Sequence, residues 1–226
     1  MTSTVGVNFK EMTYTIKMFL KIGKEEHIKD LYKNGTIYIN PIEYFRNIED
    51  EELRGDKYEG ASKIINSLPG TFRIPGVDRD FKYEKIHLRE TYETILGNIY
   101  SLYCISSKGF PDPLDFRLDE KNLKFGTHCL MIKDNRFFFE KIKSELTKQG
   151  YEFHHGFVEY YDKDKISYKK LTLFDKPKEF EYQKEFRFFV HNDIIEPIKI
   201  SIGTLRGKAE MMETKYLTEL KLAIKN

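Results

Sequence analysis

The residue types best suited to chemistry lie in one short stretch, residues 180–190, with the sequence FEYQKEFRFFV. Apolar residues occupy every second position from 186 to 190, which predicts a β-strand with one apolar face. Side chains two residues apart share a face of a strand, so Gln183, Glu185 and Arg187 are expected in one polar row. An amide, a carboxylate and a guanidinium in a row form either a solvated ion pair or a site for a polar substrate.

Two other polar groups are candidates for a site. Ser106-Ser107 ends the apolar stretch 100–105, where serines have either an ordinary structural role or a place in a site. The charged segment 47–60 follows Arg46 and is either a solvated loop of weak salt bridges or the wall of a ligand site. In the second case Arg46 or Arg54 would bind a phosphate through paired hydrogen bonds.

Several familiar signatures are absent from the sequence. There is no GxxxxGK[ST], no GxGxxG after a strand, no HExxH and no GxSxG. His154-His155 is the only histidine pair, and neighbours on a strand point to opposite faces, which is poor geometry for a shared metal. Cys104 and Cys129 lie in apolar runs and are expected to be small buried hydrophobic residues in a reducing cytoplasm. No metal site is predicted.

Composition sets wider limits. The chain has 226 residues, 33% of them charged, yet its net charge is only +2. This balance is typical neither of a protein that binds polyanions tightly nor of a disordered chain. No apolar run approaches 18 residues and the N-terminus lacks a secretory pattern, so we expect a cytoplasmic protein with no membrane partner.

The order of the expected elements favours one α+β domain over residues 1–226, with a mixed, mainly antiparallel sheet and flanking helices. Residues 61–95 carry the turn signals Pro69-Gly70 and Pro75-Gly76, and hold either a hairpin or a mobile excursion. The expected strands cover residues 13–22, 36–39, 99–106, 127–132, 153–161, 184–190 and 197–202. The expected helices cover 24–34, the segment that begins at Pro41, 135–148 and 213–224.

Gln183-Lys184-Glu185 resembles the Q-x-E motif of ADP-ribosyltransferases, most of all the branch with the clostridial Rho-modifying exoenzymes and the guanine-modifying pierisins. Members of that superfamily also carry a basic residue on an early strand and a serine-rich end to a middle strand. Lys21 or Arg46 matches the first feature and Ser106-Ser107 the second, in the order that the family shows. The resemblance implies an ADP-ribosyltransferase-like fold.

A broader pattern covers most of the chain and resembles a family of uncharacterised bacterial and mobile-element proteins. Toxins of phage-defence toxin–antitoxin systems that ADP-ribosylate RNA are similar to it as well. The pattern consists of Leu31, Gly35, Tyr44-Phe45-Arg46, Glu49-Asp50, Asp56, Glu59-Gly60, Phe125-Gly126, Met131-Ile132, Tyr160, Lys176, Phe180, Gln183, Glu185-Phe186-Arg187 and Ile202-Gly203.

The resemblance to the transferases implies roles for single residues, with NAD as the co-substrate. Glu185 would stabilise the positive charge that develops on the ribose when nicotinamide leaves, and Gln183 would orient the acceptor group. The other residues of the implied set bind NAD. Lys21 or Arg46 would hold the pyrophosphate, Tyr44 or Phe45 would stack on the nicotinamide, and Ser106 and Arg187 complete the set.

Three functions therefore follow as hypotheses. The first is a transferase toxin of phage defence that modifies single-stranded RNA or a protein and has a possible antitoxin. The second is a non-catalytic module that binds a nucleotide or a partner protein in the same cleft. The third, less favoured, is a nuclease that holds Mg²⁺ with Asp50, Asp56, Glu59 and Glu185.

Overall fold

The computed structural model describes residues 14–47, 59–92 and 97–220. The strands are β1 (Ile16–Gly23), β2 (Thr36–Pro41), β3 (Ala61–Ser67), β4 (Gly70–Arg73), β5 (Asp80–Tyr83), β6 (Ile86–Thr91), β7 (Asn98–Ser106), β8 (His128–Ile132), β9 (Phe153–Phe157), β10 (Glu159–Tyr161), β11 (Tyr168–Lys170), β12 (Asp175–Pro177), β13 (Glu185–Val190), β14 (Ile198–Ser201) and β15 (Ala209–Glu213). The α-helices are α1 (Glu25–Asn34), α2 (Ile42–Asn47) and α3 (Asn135–Lys148), and shorter 3₁₀ helices cover Pro113–Asp115, Glu120–Phe125, Lys178–Gln183 and Thr214–Glu219. The chain is thus α+β, as predicted.

The main sheet has eight strands in the order β14-β2-β7-β1-β8-β15, with β13 alongside β7 and β9 alongside β13. Its pairings are antiparallel throughout, which confirms the predicted strand direction. Helices α1 and α3 cover one face and bury Ile28, Leu31, Phe138 and Ile142 against Phe19 and its neighbours. These helices bury apolar residues three or four positions apart, the spacing from which they were predicted.

The most important feature of the sheet is a gap beside the middle of β7. Tyr103 pairs with Leu20 of β1 and with Glu185 of β13, so β1 and β13 lie on opposite edges of β7. Ile99 pairs with Asn40 of β2 and with Phe189 of β13, which places β2 on the same edge as β1. β1 and β2 therefore diverge along one edge of β7 and leave its residues 100–102 without a strand partner there.

Residues 61–92, the described part of the predicted hairpin or excursion, contain four strands. β3 pairs with β6 and with β11, while β4 and β5 form a separate antiparallel hairpin. Ile64 of β3 is buried with Tyr161 and Leu171 in a small core of its own. The segment thus includes a hairpin, formed by β4 and β5.

Some predicted elements differ from those observed. In the described part of the C-terminal helix expected over 213–224, residues Thr214–Glu219 form a 3₁₀ helix and not an α-helix, and Glu213 is the last residue of β15, paired with His128. The strand expected over 153–161 is divided into β9 and β10. Cys104 and Cys129 are buried and free, as predicted. Among the described residues, no helix has the length and apolar character needed to cross a membrane.

Candidate functional site

A cavity of about 650 Å³ lies where β1 and β2 diverge from one another. The end of β1, the start of α1, strand β2, helix α2 and the middle of β7 contribute to its wall. The turn that carries Gln183 and Glu185 lines it as well. Its volume falls in the range typical of small-molecule and cofactor sites. The divergence of two strands thus creates the space for a ligand.

Most of the predicted site residues meet in this cavity. Those that line it are Lys21, Tyr44, Phe45, Gln183, Glu185 and Arg187. Arg46 does not line it, and donates instead to the carbonyl oxygens of Glu59 at 2.6 Å and Gly60 at 3.3 Å. Ser106 borders a smaller cavity of about 60 Å³. Arg46 therefore binds backbone carbonyl groups, and Ser106 lies at the end of strand β7. Neither residue belongs to the wall of the larger cavity.

The Q-x-E segment is a turn that leads into a strand. Gln183 ends a 3₁₀ helix, Lys184 takes a left-handed conformation with φ 39° and ψ 51°, and Glu185 begins β13. Lys184 is the only residue other than glycine with positive φ in the described part of the chain, and this conformation costs about 1–2 kcal/mol. Because of this turn, Gln183 and Glu185 both face the cavity, although only Glu185 lies on the strand.

Glu185 is buried and held on both carboxylate oxygens. Its Oε1 accepts hydrogen bonds from the Ser101 hydroxyl and from Arg187, through Nε at 3.1 Å and Nη2 at 3.0 Å. The Lys176 ammonium lies 3.0 Å from Oε2, at ion-pair distance, although its direction does not satisfy a hydrogen bond. Oε2 therefore has unused hydrogen-bond acceptor capacity beside the Lys176 ammonium.

A second carboxylate completes this charged cluster. Glu59 receives Arg187 Nη1 at 2.7 Å and lies 3.6 Å from the Lys176 ammonium. Gln183 Oε1 accepts a hydrogen bond from Lys176 Nζ at 2.9 Å. The cluster of Glu59, Lys176, Glu185 and Arg187, which we call the ion cluster, thus contains equal numbers of positive and negative groups. Opposite charges compensate one another in this buried position.

The ion cluster fixes the ionisation of Glu185. Burial alone would raise the pKa of Glu185, but the charges of Arg187 and then Lys176 outweigh it, and the net pKa is lowered. The pKa of Arg187 is raised by Glu185 and Glu59 in spite of its burial. Glu185 is therefore an anion at neutral pH. It can stabilise a developing cation but has no proton to donate.

Lys21 lies in the gap between β1 and β2. Its ammonium donates to the carbonyl oxygen of Ser101 at 2.8 Å and lies 4.2 Å from the centre of the Tyr100 ring. The carbonyl of Ser101 belongs to the stretch of β7 that has no strand partner on the side of the gap. Lys21 therefore supplies the hydrogen-bond donor that a neighbouring strand would otherwise provide to this carbonyl. The result is a positive charge in the cavity wall, close to the strand that also carries the Ser101 hydroxyl.

Aromatic side chains form another part of the wall. Tyr44 and Phe45 are adjacent on α2, and their rings meet edge to face with centres 5.3 Å apart. Tyr44 is 47% exposed, although both residues line the cavity. An exposed ring beside a cavity offers a surface on which a flat base or nicotinamide can stack. Both aromatic rings predicted for the site therefore lie in the cavity wall.

Sequence reasoning missed several residues of the site. Lys176 and Ser101 contact Glu185, and Tyr160 accepts a hydrogen bond from the Glu185 backbone N–H at 2.9 Å. Ser101 is directly opposite Arg187 in the pairing of β7 with β13. That register is the signal that could have identified Ser101, but it is known only when the two strands are matched.

Of the four acids of the nuclease hypothesis, Glu59 and Glu185 lie in the described part of the chain. Asp50 and Asp56 lie outside the described residues. Glu59 and Glu185 are each bound by Arg187 and Lys176, which already supply the positive charge that a divalent cation would bring. The geometry therefore gives this hypothesis no support.

Comparison of the chain with protein-family models, curated proteins and solved structures finds no match. The arrangement of the side chains is consequently the basis for any proposal about function.

Proposed function

We propose that the chain is an NAD-dependent ADP-ribosyltransferase. The observation that carries this proposal is the ionised Glu185 on the wall of a cavity of about 650 Å³, together with Gln183, Lys21 and Tyr44. A cavity of this size accommodates a cofactor, and its wall offers an anion, an amide, a cation and an aromatic ring.

Glu185 has the charge state that this chemistry needs. Loss of nicotinamide from NAD leaves positive charge on the ribose carbon, and a fixed carboxylate stabilises that charge where it develops. The hydrogen bonds from Ser101 and Arg187 to Oε1 hold the carboxylate in one orientation. A preorganised group of this kind needs little rearrangement during the reaction.

The remaining residues suit the binding of NAD and of the acceptor. Lys21 is a basic residue of the cavity wall outside the ion cluster and is assigned to the pyrophosphate in preference to Arg46, which is engaged by backbone carbonyls. Tyr44 or Phe45 stacks on the nicotinamide. Gln183, which precedes the left-handed Lys184, hydrogen-bonds the acceptor group. Lys176 moves from Oε2 when the ribose hydroxyl of the substrate takes its place.

The proposed acceptor is single-stranded RNA or a protein, and the proposed setting is a toxin of phage defence with a cognate antitoxin. A net charge of only +2 suits transient contact with a nucleic acid better than tight binding, because tight binding requires many phosphate contacts. Stacking of an exposed base is the form of recognition that needs least basic surface.

The test is to incubate the purified chain with NAD and to measure released nicotinamide, alone and with RNA, single-stranded DNA or cell extract. Transfer to an acceptor is followed with labelled NAD. Glu185→Gln should abolish both signals, while Glu159→Gln, at an exposed carboxylate outside the cavity, should keep them. Circular dichroism establishes that each variant is folded. Full transfer by a folded Glu185→Gln protein would overturn the proposal.

One observation favours a second candidate, the non-catalytic binding module. Both oxygens of Glu185 are covered by Ser101, Arg187 and Lys176, as in an ion cluster with a purely structural role. In that case the chain binds NAD or another nucleotide in the cavity without releasing nicotinamide. Isothermal titration with NAD, combined with the nicotinamide assay, separates the two functions.

A further inference from the structure

Glu152, His154 and His191 form a cluster of metal-ligating side chains on the main sheet, outside the cavity just described. Their ligand atoms all lie within 4.8 Å of one another. The Nε2 atoms of both imidazoles are 3.9 Å from Glu152 Oε1. We call these residues the edge triad and propose that it binds Zn²⁺, with water at the remaining position.

The pairing of two strands brings the edge triad together. His154 lies opposite Phe189 in the antiparallel pair of β9 and β13, and the N–H of His191 donates to the carbonyl of Glu152 at 2.9 Å. Residues two apart on a strand share a face, as do residues directly opposite each other on neighbouring strands. Glu152, His154 and His191 therefore project from the same face at the ends of these strands.

An aromatic ring orients both imidazoles. The His191 ring packs edge to face on the Phe189 ring, with ring centres 4.7 Å apart. The His154 ring is stacked on the same Phe189 ring, with ring centres 6.5 Å apart. Phe189 is itself buried. Contact with this fixed ring reduces the conformational freedom that the imidazoles would lose on binding a metal.

The distances suit a tetrahedral ion. Ligand atoms about 2.0–2.2 Å from zinc are about 3.4 Å apart in tetrahedral geometry. The observed separation of 3.9 Å between each Nε2 and Oε1 therefore needs only small side-chain rotations. All three residues are exposed. Two imidazoles and one carboxylate are also ligand types that Zn²⁺ prefers.

The charges around Glu152 also favour the binding of a cation. Within the described ranges, the basic side chains within 4.0 Å of the Glu152 carboxylate are these two imidazoles, and no lysine or arginine pairs with it. In the ion cluster, by contrast, Arg187 and Lys176 already neutralise the carboxylates. The edge triad thus has an anionic ligand available for a cation, and its metal would connect β9 to β13.

The test is isothermal titration of the full chain with ZnCl₂, after removal of any affinity tag and treatment with EDTA. We expect one zinc per chain. His154→Ala and His191→Ala should each weaken binding by at least about ten-fold, the smallest loss typical even of residues that only support metal ligands. His27→Ala, which removes an exposed histidine from α1, is the matched control and should bind zinc like the wild type.

Imidazole signals in NMR spectra give a direct readout of the site. Zinc should shift the ring signals of His154 and His191 and leave those of His27 in place. Absence of stoichiometric zinc binding, or unchanged affinity in both alanine variants, would overturn the proposal. Because this test uses no NAD, its outcome is independent of the proposed transferase activity.

Discussion

Arg187 donates two hydrogen bonds to the same oxygen of Glu185, through Nε at 3.1 Å and Nη2 at 3.0 Å. The remaining nitrogen, Nη1, reaches Glu59 at 2.7 Å. One buried guanidinium therefore holds two carboxylates that are 126 positions apart in the sequence (185 − 59). This contact joins the end of the charged segment 47–60 to the strand that carries the proposed catalytic residue.

Loss of the Arg187 guanidinium should destabilise the fold strongly. Arg187→Met leaves Glu185 and Glu59 buried with less compensation, and removal of one partner from a buried ion pair typically costs about 3–5 kcal/mol. Arg73→Ala, which breaks an exposed pair with Asp80, should cost no more than about 1 kcal/mol. Urea unfolding measures both free energies. Equal small losses would show that the ion cluster contributes little to stability.

The stability of the protein should fall in acid partly because of Glu185. Its folded pKa is lowered, so the unfolded state binds more protons as the pH drops below the ordinary glutamate pKa of 4.5. The stabilisation is present above pH 4.5 and is lost progressively below it. The free energy of unfolding should therefore depend less steeply on pH below 4.5 in Glu185→Gln than in the wild type.

Other carboxylates, such as Asp134, also have a lowered pKa and contribute in the same pH range. They are present in both proteins, so the difference between the two curves isolates Glu185. Parallel curves would contradict the ionised state that the ion cluster implies.

Lys21 and Arg46 should differ in what their loss changes. Lys21→Met keeps the aliphatic stem but removes the charge from the cavity wall, and should raise the KM for NAD by about ten-fold or more. Arg46→Met removes hydrogen bonds to the carbonyls of Glu59 and Gly60, and should lower the free energy of unfolding by about 1–3 kcal/mol with little change in KM. Steady-state kinetics and urea unfolding of both variants make the comparison.

The reverse pattern, a raised KM in Arg46→Met alone, would show that Arg46 and not Lys21 binds the pyrophosphate of NAD. Both results presuppose measurable NAD turnover.

The two serine positions on β7 allow a similarly matched pair. Ser101 donates to Glu185, so Ser101→Ala should lower kcat by about ten-fold while KM for NAD stays nearly constant. Ser106 is the last residue of β7 and does not line the cavity, so Ser106→Ala should retain wild-type kcat. Nicotinamide release at saturating NAD gives the comparison. A loss in Ser106→Ala alone would favour the serine position first expected from the resemblance.

The sequence was informative about the local elements and about one edge of the site. Alternation of apolar residues indicated β13, and a spacing of three to four residues indicated α1 and α3. The Q-x-E segment directed attention to Gln183 and Glu185, which do line one cavity. These predictions depend on residues that are close together in the chain, so the sequence pattern alone is enough to make them.

The parts that could not be predicted depend on pairing between distant segments. Ser101 faces Glu185 only because of the register between β7 and β13, and Lys176 reaches Glu185 from β12. The leucine spacing near Leu217 indicated a helix, and residues 214–219 are a 3₁₀ helix, but pairing of β15 with β8 makes Glu213 the end of a strand. Tertiary hydrogen bonds outweigh local propensity in such cases.

The main-chain origin of the cavity limits how its dimensions can change. The distance between β1 and β2 is determined by where each begins or ends its hydrogen bonds to β7, so single side-chain substitutions alter which ligand fits but hardly the width of the opening. The width of the opening changes only when the strands pair with β7 over more or fewer residues. An inserted residue that extends the pairing of β1 with β7 beyond Leu20 is one example. Insertions and deletions at these two strand ends, more than point mutations, are therefore the changes through which a descendant of this protein would come to bind a larger or smaller ligand.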